Sequence, residues 1–145
     1  MSTTTTRTGN GQLTKNFHIS EFKCKDGTHV PAELIPNTQL LADNLQVLRD
    51  DLNTNRPAAA PKGVEIGISV NSGYRTPEYN KKVGGKKNSY HPKAMAGDLT
   101  CKWETPRQLA ARIERLIKEK KMKQGGIGIY PGFTHYDPRG VKARW

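Results

Sequence analysis

The sequence predicts an α+β fold, a single domain in which an antiparallel sheet is flanked by helices. Two observations lead there. At 145 residues the chain is long enough to bury one hydrophobic core and too short for two ordinary domains. Its periodic segments follow the order helix, strand, strand, helix, strand, strand, which suits neighbouring antiparallel strands better than the regular alternation of a parallel sheet. No internal repeat breaks that order.

Residues 1–15 open with MSTTTTRTGNGQ, whose Thr, Gly and Asn content predicts a disordered tail ahead of a domain over 16–145. The tail lacks the apolar core of a secretory signal, so the expectation is a chain that is cytoplasmic as synthesised. Over 37–53, Leu40, Leu41, Leu45, Leu48 and Leu52 share one helical face while Asp43, Gln46 and Arg49 fall elsewhere, which predicts a core-packed helix. NTNRPAAAPKG (53–63) then breaks regular structure with two prolines and a glycine. VEIGISV (64–70) alternates apolar with polar or small residues and predicts a half-buried strand. A polar loop carrying NSGYRTPEYN follows.

MAGDLTC (95–101) reads as a second strand, weakened by Gly97. Thr105, Pro106 and Gln108 supply an N-cap, a first-position proline and a capping-box partner. They start a helix that buries Leu109, Ile113, Leu116 and Ile117, ends in a lysine-rich last turn and stops at Gly125 and Gly126. GIGIY (126–130) and FTHYD (133–137) are short strands around Pro131 and Gly132.

A hydrophobic fraction of 34% and a charged fraction of 26% leave no apolar run of about eighteen residues, so no membrane span is expected. The formal charge of +11 is concentrated in KKVGGKK (81–87) and RIERLIKEKKMK (112–123). It implies either an anionic partner (nucleic acid, anionic lipid or anionic bacterial cell wall) or a solvated basic face that serves solubility. Nucleic acid draws on charge alone, because no aromatic-rich RNA signature or recognition helix is visible, and no specific nucleic-acid partner is expected. Cys24 and Cys101 form no CxxC pair; one disulfide or two free core thiols both remain open, and a two-cysteine zinc site is disfavoured.

The stretch SYHPKAMAGDLTC (89–101) places Asp98 between Gly97 and Leu99, where the pattern heads into a core. A carboxylate buried there needs a partner. Of the four histidines, His18 and His29 read as surface or locally hydrogen-bonded groups, whereas His91 and His135 adjoin predicted strands. Neighbouring antiparallel strands bring remote side chains together on one face, so His91, Asp98 and His135 can form a three-ligand metal site with an open position. The competing reading has His91 bonded in a loop, Asp98 paired with a lysine and His135 satisfied within the sheet.

SEFKCKDG (20–27), VPAELIPNTQLLADNLQVLRD (30–50), SGYRTPEYNKKVGGKKNSYH (72–91), AGD (96–98) and GGIGIYPGFTHYDPRG (125–140) occur in order. Together they closely resemble the zinc D-alanyl-D-alanine carboxypeptidase family, which includes peptidoglycan peptidases and phage lysins and shares its metal-site fold with the hedgehog signalling domain. The resemblance implies Zn2+ held by His91, Asp98 and His135. It implies that Arg75 holds a substrate carboxylate or polarises the scissile carbonyl, and that Ser89 faces the substrate.

Two positions depart from the family pattern. Ala94 stands where glycine is usual, and Gly132 and Phe133 stand where relatives carry a general base. Asp137 shares a strand face with His135 and is the candidate base or ligand orienter, against a plain turn-starting role before Pro138. The implied function is a monomeric zinc peptidase cleaving stem-peptide amides with a zinc-activated water, acting on the cell wall after release or from a virion. The alternative is a non-catalytic zinc-containing wall-binding or virion structural module.

Overall fold

A computed structural model describes residues 10–145. Five strands form one sheet in the order β1-β2-β4-β3-β5, and every pairing is antiparallel except that of β3 with β5. The strands are β1 (Ser69–Ser72), β2 (Gly97–Thr100), β3 (Gly126–Ile129), β4 (Thr134–Asp137) and β5 (Ala143–Arg144). The helices are α1 (Ile35–Thr54), α2 (Pro77–Lys82) and α3 (Pro106–Lys118), with 3-10 turns between them. No helix among the described residues is long and apolar enough to cross a membrane.

Helix α1 is the central prop of the core. Leu41, Leu45, Leu48 and Leu52 are fully buried, each worth about 1.5–3 kcal/mol on leaving water, while Leu40 lies at the margin of the face. The segment before α1 covers the helix on another side. Leu13 and Thr14 are buried, the Thr14 hydroxyl donates to Gln46 Oε1 at 2.7 Å, and Gln39 Nε2 donates to the Leu13 carbonyl at 2.8 Å. Of the tail expected over 1–15, residues 1–9 lie outside the described residues.

Several elements differ from their expected bounds, each for a local reason. The expected strand 64–70 pairs only from Ser69 and extends to Ser72. Ile66 is instead gripped by Asn53 near the end of α1, whose side-chain amide accepts from Ile66 N and donates to Ile66 O, both at 2.9 Å. The expected loop after it contains α2, started by Thr76 and Pro77 with the Thr76 hydroxyl accepting from Tyr79 N. Helix α3 has its capping box between Thr105 and Gln108 but ends at Lys118. Lys120 takes a left-handed φ of 62°, which lets Lys121 N and Met122 N reach back to Leu116 O and drops Met122 into the core. The lysine run therefore leaves the helix. Strand β5 has no counterpart among the expected elements. Cys24 and Cys101 are both buried free thiols.

An ionic cluster pins α3 to the end of α1. Arg112 bonds Asp51 Oδ2 at 2.7 Å and Glu104 through both Nε and Nη2, and Arg115 also pairs with Asp51. Burial pushes the Asp51 carboxyl up, but the hydrogen bond from Arg112, with Asn55 and the Arg115 charge, more than reverses this. A lowered folded pKa means the stabilisation is present above the unfolded value of roughly 3.9 and is lost as pH falls through the folded one. Arg112→Ala leaves two buried carboxylates short of a partner and is expected to cost about 3–5 kcal/mol at neutral pH. The deficit should shrink as pH falls from about 7 through the lowered folded value of Asp51, where the parent protein loses the same stabilisation; urea unfolding over a descending pH series checks both.

Candidate metal centre

The register of the sheet assembles the centre. Ser72 pairs with Asp98, Asp98 with His135, and His135 with Gly128, so one row crosses β1, β2, β4 and β3. Alternation along β2 and β4 sends Leu99 and Tyr136 into the core and leaves Asp98, His135 and Asp137 on the other face. His91 reaches the row from a 3-10 turn over His91–Lys93. That turn is closed by Ala94 in a left-handed conformation, φ 56° and ψ 34°, with its carbonyl held by the Thr38 hydroxyl at 2.9 Å. The left-handed backbone is the reason a glycine fits this position, and alanine occupies it at some strain.

His91, Asp98 and His135 are all buried, and one ligand atom from each lies within 4.8 Å of the others. His91 Nε2 is 3.3 Å and His135 Nδ1 is 3.1 Å from Asp98 Oδ1, with the two rings edge to face at 5.3 Å. The remaining ring nitrogens fix the tautomers. His91 Nδ1 lies 2.6 Å from the Gly73 carbonyl, which only accepts, so Nδ1 carries the proton and Nε2 turns a lone pair inward. His135 Nε2 lies 2.6 Å from Asp137 Oδ2 and donates to it, leaving the Nδ1 lone pair inward. Two lone pairs and a carboxylate thus converge, and a cation is what that donor set fits.

Each support has its own support. Asp137 is fully buried and accepts from Arg139 Nε at 2.7 Å, Arg139 Nη2 at 2.8 Å and the Gly126 N–H at 3.3 Å. Burial pushes the Asp137 carboxyl up, and Arg139 and His135 bring it well below the ordinary value. Arg75 donates to Asp98 Oδ2 at 3.3 Å, Ser72 Oγ at 3.2 Å and Asn80 Oδ1 at 3.2 Å. The Ser89 hydroxyl accepts from His91 N at 3.1 Å.

A family model described as Peptidase M15 matches residues 14–137, nearly the whole described chain. The chain belongs to the peptidase M15 family. No curated protein sequence matches it. Membership in a peptidase family implies a peptide substrate and makes the His91–Asp98–His135 cluster the candidate metal site of a metallopeptidase.

The centre of this M15 peptidase opens into a cleft of about 410 Å³ lined by Arg75, Ser89, Tyr90 and the aromatic group Tyr130, Phe133 and Trp145. Asp98 is the one carboxylate among its described lining residues. Asp137 does not reach it; the carboxylate faces the outer edge of His135, which places it to orient that ring. Glu78 is exposed on α2 and is not part of the lining. His18 caps a 3-10 turn through Ser20 and His29 is exposed.

Sequence reasoning passed over Arg139 and Trp145. The indole of Trp145 lies 4.9 Å from the His135 ring and donates to the Tyr130 hydroxyl at 2.6 Å. It fits because residue 128, opposite His135, is glycine: a Cβ there would collide with the indole nitrogen. The signal in the sequence was the pair of alternate glycines in GIGIY, which thins one face of β3.

Zinc titration is expected to give one tight equivalent, lost in His91→Ala, Asp98→Ala and His135→Ala, since each removes a donor. Gly126→Ala touches no ligand. Its Cβ would stand 2.5 Å from Asp137 Oδ2 and 2.8 Å from Arg139 Nη2, so it should displace Asp137 from His135 and weaken zinc binding about 10–100-fold. Competition against a chromogenic chelator measures it.

Proposed function

We propose that this chain is a zinc-dependent peptidase that cleaves an amide bond in the stem peptides of bacterial peptidoglycan. The observation that carries the reading is the convergence of two inward lone pairs and a carboxylate at the floor of a peptide-sized cleft. His91, Asp98 and His135 would hold the zinc, which when bound supplies Lewis acidity for activating water and polarising a carbonyl.

The chain's own residues do the rest. Asp137 holds His135 in the tautomer that presents Nδ1, and the Gly73 carbonyl does the same for Nε2 of His91. Arg75 steadies Asp98 through Oδ2 and lines the cleft, which supports its role in polarising the scissile carbonyl and stabilising the oxyanion that develops on it. Ser89 borders the cleft beside the first histidine and takes part in seating the substrate. The charge of +11 favours approach to an anionic wall surface.

A second reading is supported by the lack of a carboxylate besides Asp98 in the described lining: a zinc-containing wall-binding or virion module without turnover. Mass spectrometry of muropeptides incubated with zinc-loaded and zinc-stripped protein separates the two. The peptidase reading expects products only from the loaded form; wall binding without any product supports the module. Arg75→Lys should lower turnover about 100-fold with zinc retained, because an ammonium does not reproduce the guanidinium fork. Unchanged cleavage would remove Arg75 from the chemistry.

A further inference from the structure

Positive charge is spread unevenly along this chain. From Tyr79 to Gly97 there is no Asp or Glu but there are five lysines, and from Pro138 to Trp145 Arg139, Lys142 and Arg144 again have no acidic neighbour. The two stretches meet at a recess of about 460 Å³ lined by Lys87, Asn88, Ser89, Tyr90, Lys93 and Arg139, a volume within the range of small-molecule sites. Ser89, Tyr90 and Arg139 also border the metal cleft, but Lys87 and Lys93 line the recess alone. A larger hollow of about 740 Å³ runs along α3, and its arginines, Arg112 and Arg115, are already paired with Asp51, Glu104 and Glu119.

The recess holds cations without a counter-charge. No carboxylate is among its described lining residues. Asp137 partly neutralises Arg139, through Nε and Nη2, but Lys87 and Lys93 are exposed and neither has an ion-pair partner among the described residues. Lys93 Nζ and the guanidinium carbon of Arg139 each lie 4.3 Å from the Tyr90 ring centroid. The two charges are therefore within about 9 Å of each other, inside the Debye length of about 10 Å at 0.1 M salt, and repel unless an anion sits between them. Uncharged donors stand beside them. The Ser89 hydroxyl accepts from His91 N and keeps its own proton to give, and the exposed Asn88 side chain has no hydrogen-bond partner among the described residues.

The donor set favours phosphate on a polymer. Lysine meets phosphate as a point charge, whereas the planar fork that selects a carboxylate is already engaged here, by Asp137 on Arg139. Positive charge also continues past both ends of the recess. Lys86 precedes Lys87, and the Lys123 side chain lies against Gly140, the residue after Arg139, where a Cβ would stand 3.7 Å from Lys123 Cε. A strip of separated cations matches phosphates repeated along a chain better than one isolated anion. Nucleic acid fits less well, because Tyr90 is the one aromatic among the described lining residues and its ring already carries two cations, which leaves it unsuited to base stacking. A lipid surface fits less well too: apart from Tyr90 and Pro92 the lining is polar, with no apolar face to bury in a bilayer.

We infer that this recess is a phosphate-binding site in which Lys87, Lys93 and Arg139 hold phosphodiester groups of an anionic polyol-phosphate polymer of the bacterial wall. The inference rests on the peptidoglycan reading above for the source of the phosphate, and adds to it a docking site that takes no part in bond cleavage. Because Ser89, Tyr90 and Arg139 border both the recess and the cleft, a polymer held in the first keeps the protein on the wall with the second beside it.

The test is equilibrium binding of soluble poly(glycerol phosphate) to the zinc-loaded full chain, with an anionic phospholipid vesicle and a single-stranded oligonucleotide as the other sources of phosphate. The parent protein should bind the polymer most tightly of the three, and about 10-fold or more weakly at about 200 mM salt than at about 50 mM. Lys87→Gln combined with Lys93→Gln should lose about 10-fold or more in affinity with zinc content unchanged, whereas Lys87→Arg combined with Lys93→Arg should keep most of it. Lys62→Gln combined with Lys118→Gln removes the same charge from exposed positions outside the recess and should change affinity by less than about 2-fold. No polymer binding at the lower salt, an equal loss in the two glutamine pairs, or lysine-dependent binding that is tighter for the vesicle or the oligonucleotide would each overturn the assignment. Lysine-dependent polymer binding with no product from muropeptides would overturn the peptidase reading and leave the recess standing; muropeptide cleavage without lysine-dependent polymer binding would do the reverse.

Discussion

A buried carboxylate governs this molecule. Asp98 sits in the middle of the sheet, flanked by Ala96, Gly97 and Leu99, which are buried as well. An unpaired charge in such a place is costly, and one lysine would neutralise it without giving the site any geometry. The structure answers with an arginine on Oδ2 and with two histidine nitrogens beside Oδ1, where a bound cation would be shared by all three. Both imidazoles are held by their outer nitrogens so that their lone pairs face inward, and the carboxylate becomes one donor of a cation site. The fold around it follows from that requirement: β4 must pair with β2 so that His135 stands opposite Asp98, and the turn after Ser89 must carry His91 to the same face.

The same logic extends outward in layers. His135 needs Asp137, Asp137 needs Arg139, and Arg139 is steadied by Tyr90 and Trp145. The series runs from a buried His135 and a fully buried Asp137 to a half-buried Arg139 that borders the cleft. Dipoles and charges held in this order are already arranged when a ligand arrives, which is the physical content of preorganisation. The ionic cluster of Asp51, Arg112 and Glu104 uses the same interaction for a different end. It lies on the far helices, lines no part of the metal cleft and fastens α3 to α1.

Small residues matter here as much as charged ones. Gly128 makes room for the Trp145 indole over His135, Gly126 makes room for the Asp137–Arg139 pair, and Ala94 holds the left-handed turn behind His91. The two glycines act by steric permission, letting larger groups approach the centre, and Ala94 acts through its backbone, whose N–H donates to the His91 carbonyl at 3.0 Å.

The sequence by itself determined the α+β class, the leucine face of α1, the Thr105–Gln108 start of α3 and the two strands that carry Asp98 and His135. These rest on local periodicity and capping, which a linear chain displays openly. It also showed the three candidate ligands, through residue type and a specific family resemblance. Two readings failed by locality too: Ile66 looks like a strand residue because it alternates, and the Thr76–Pro77 start of α2 was passed over inside a polar segment. Only the tertiary structure decided that Asn53 would take the backbone of Ile66, that Met122 would leave the helix for the core and that β5 would add to β3. Only the tertiary structure could turn Asp137 away from the cleft and bring Arg139 and Trp145 to it. Strand alternation says which face a side chain occupies. Which neighbours it meets there depends on pairing register and on chain segments remote in sequence, and those are set by the packing of the whole core.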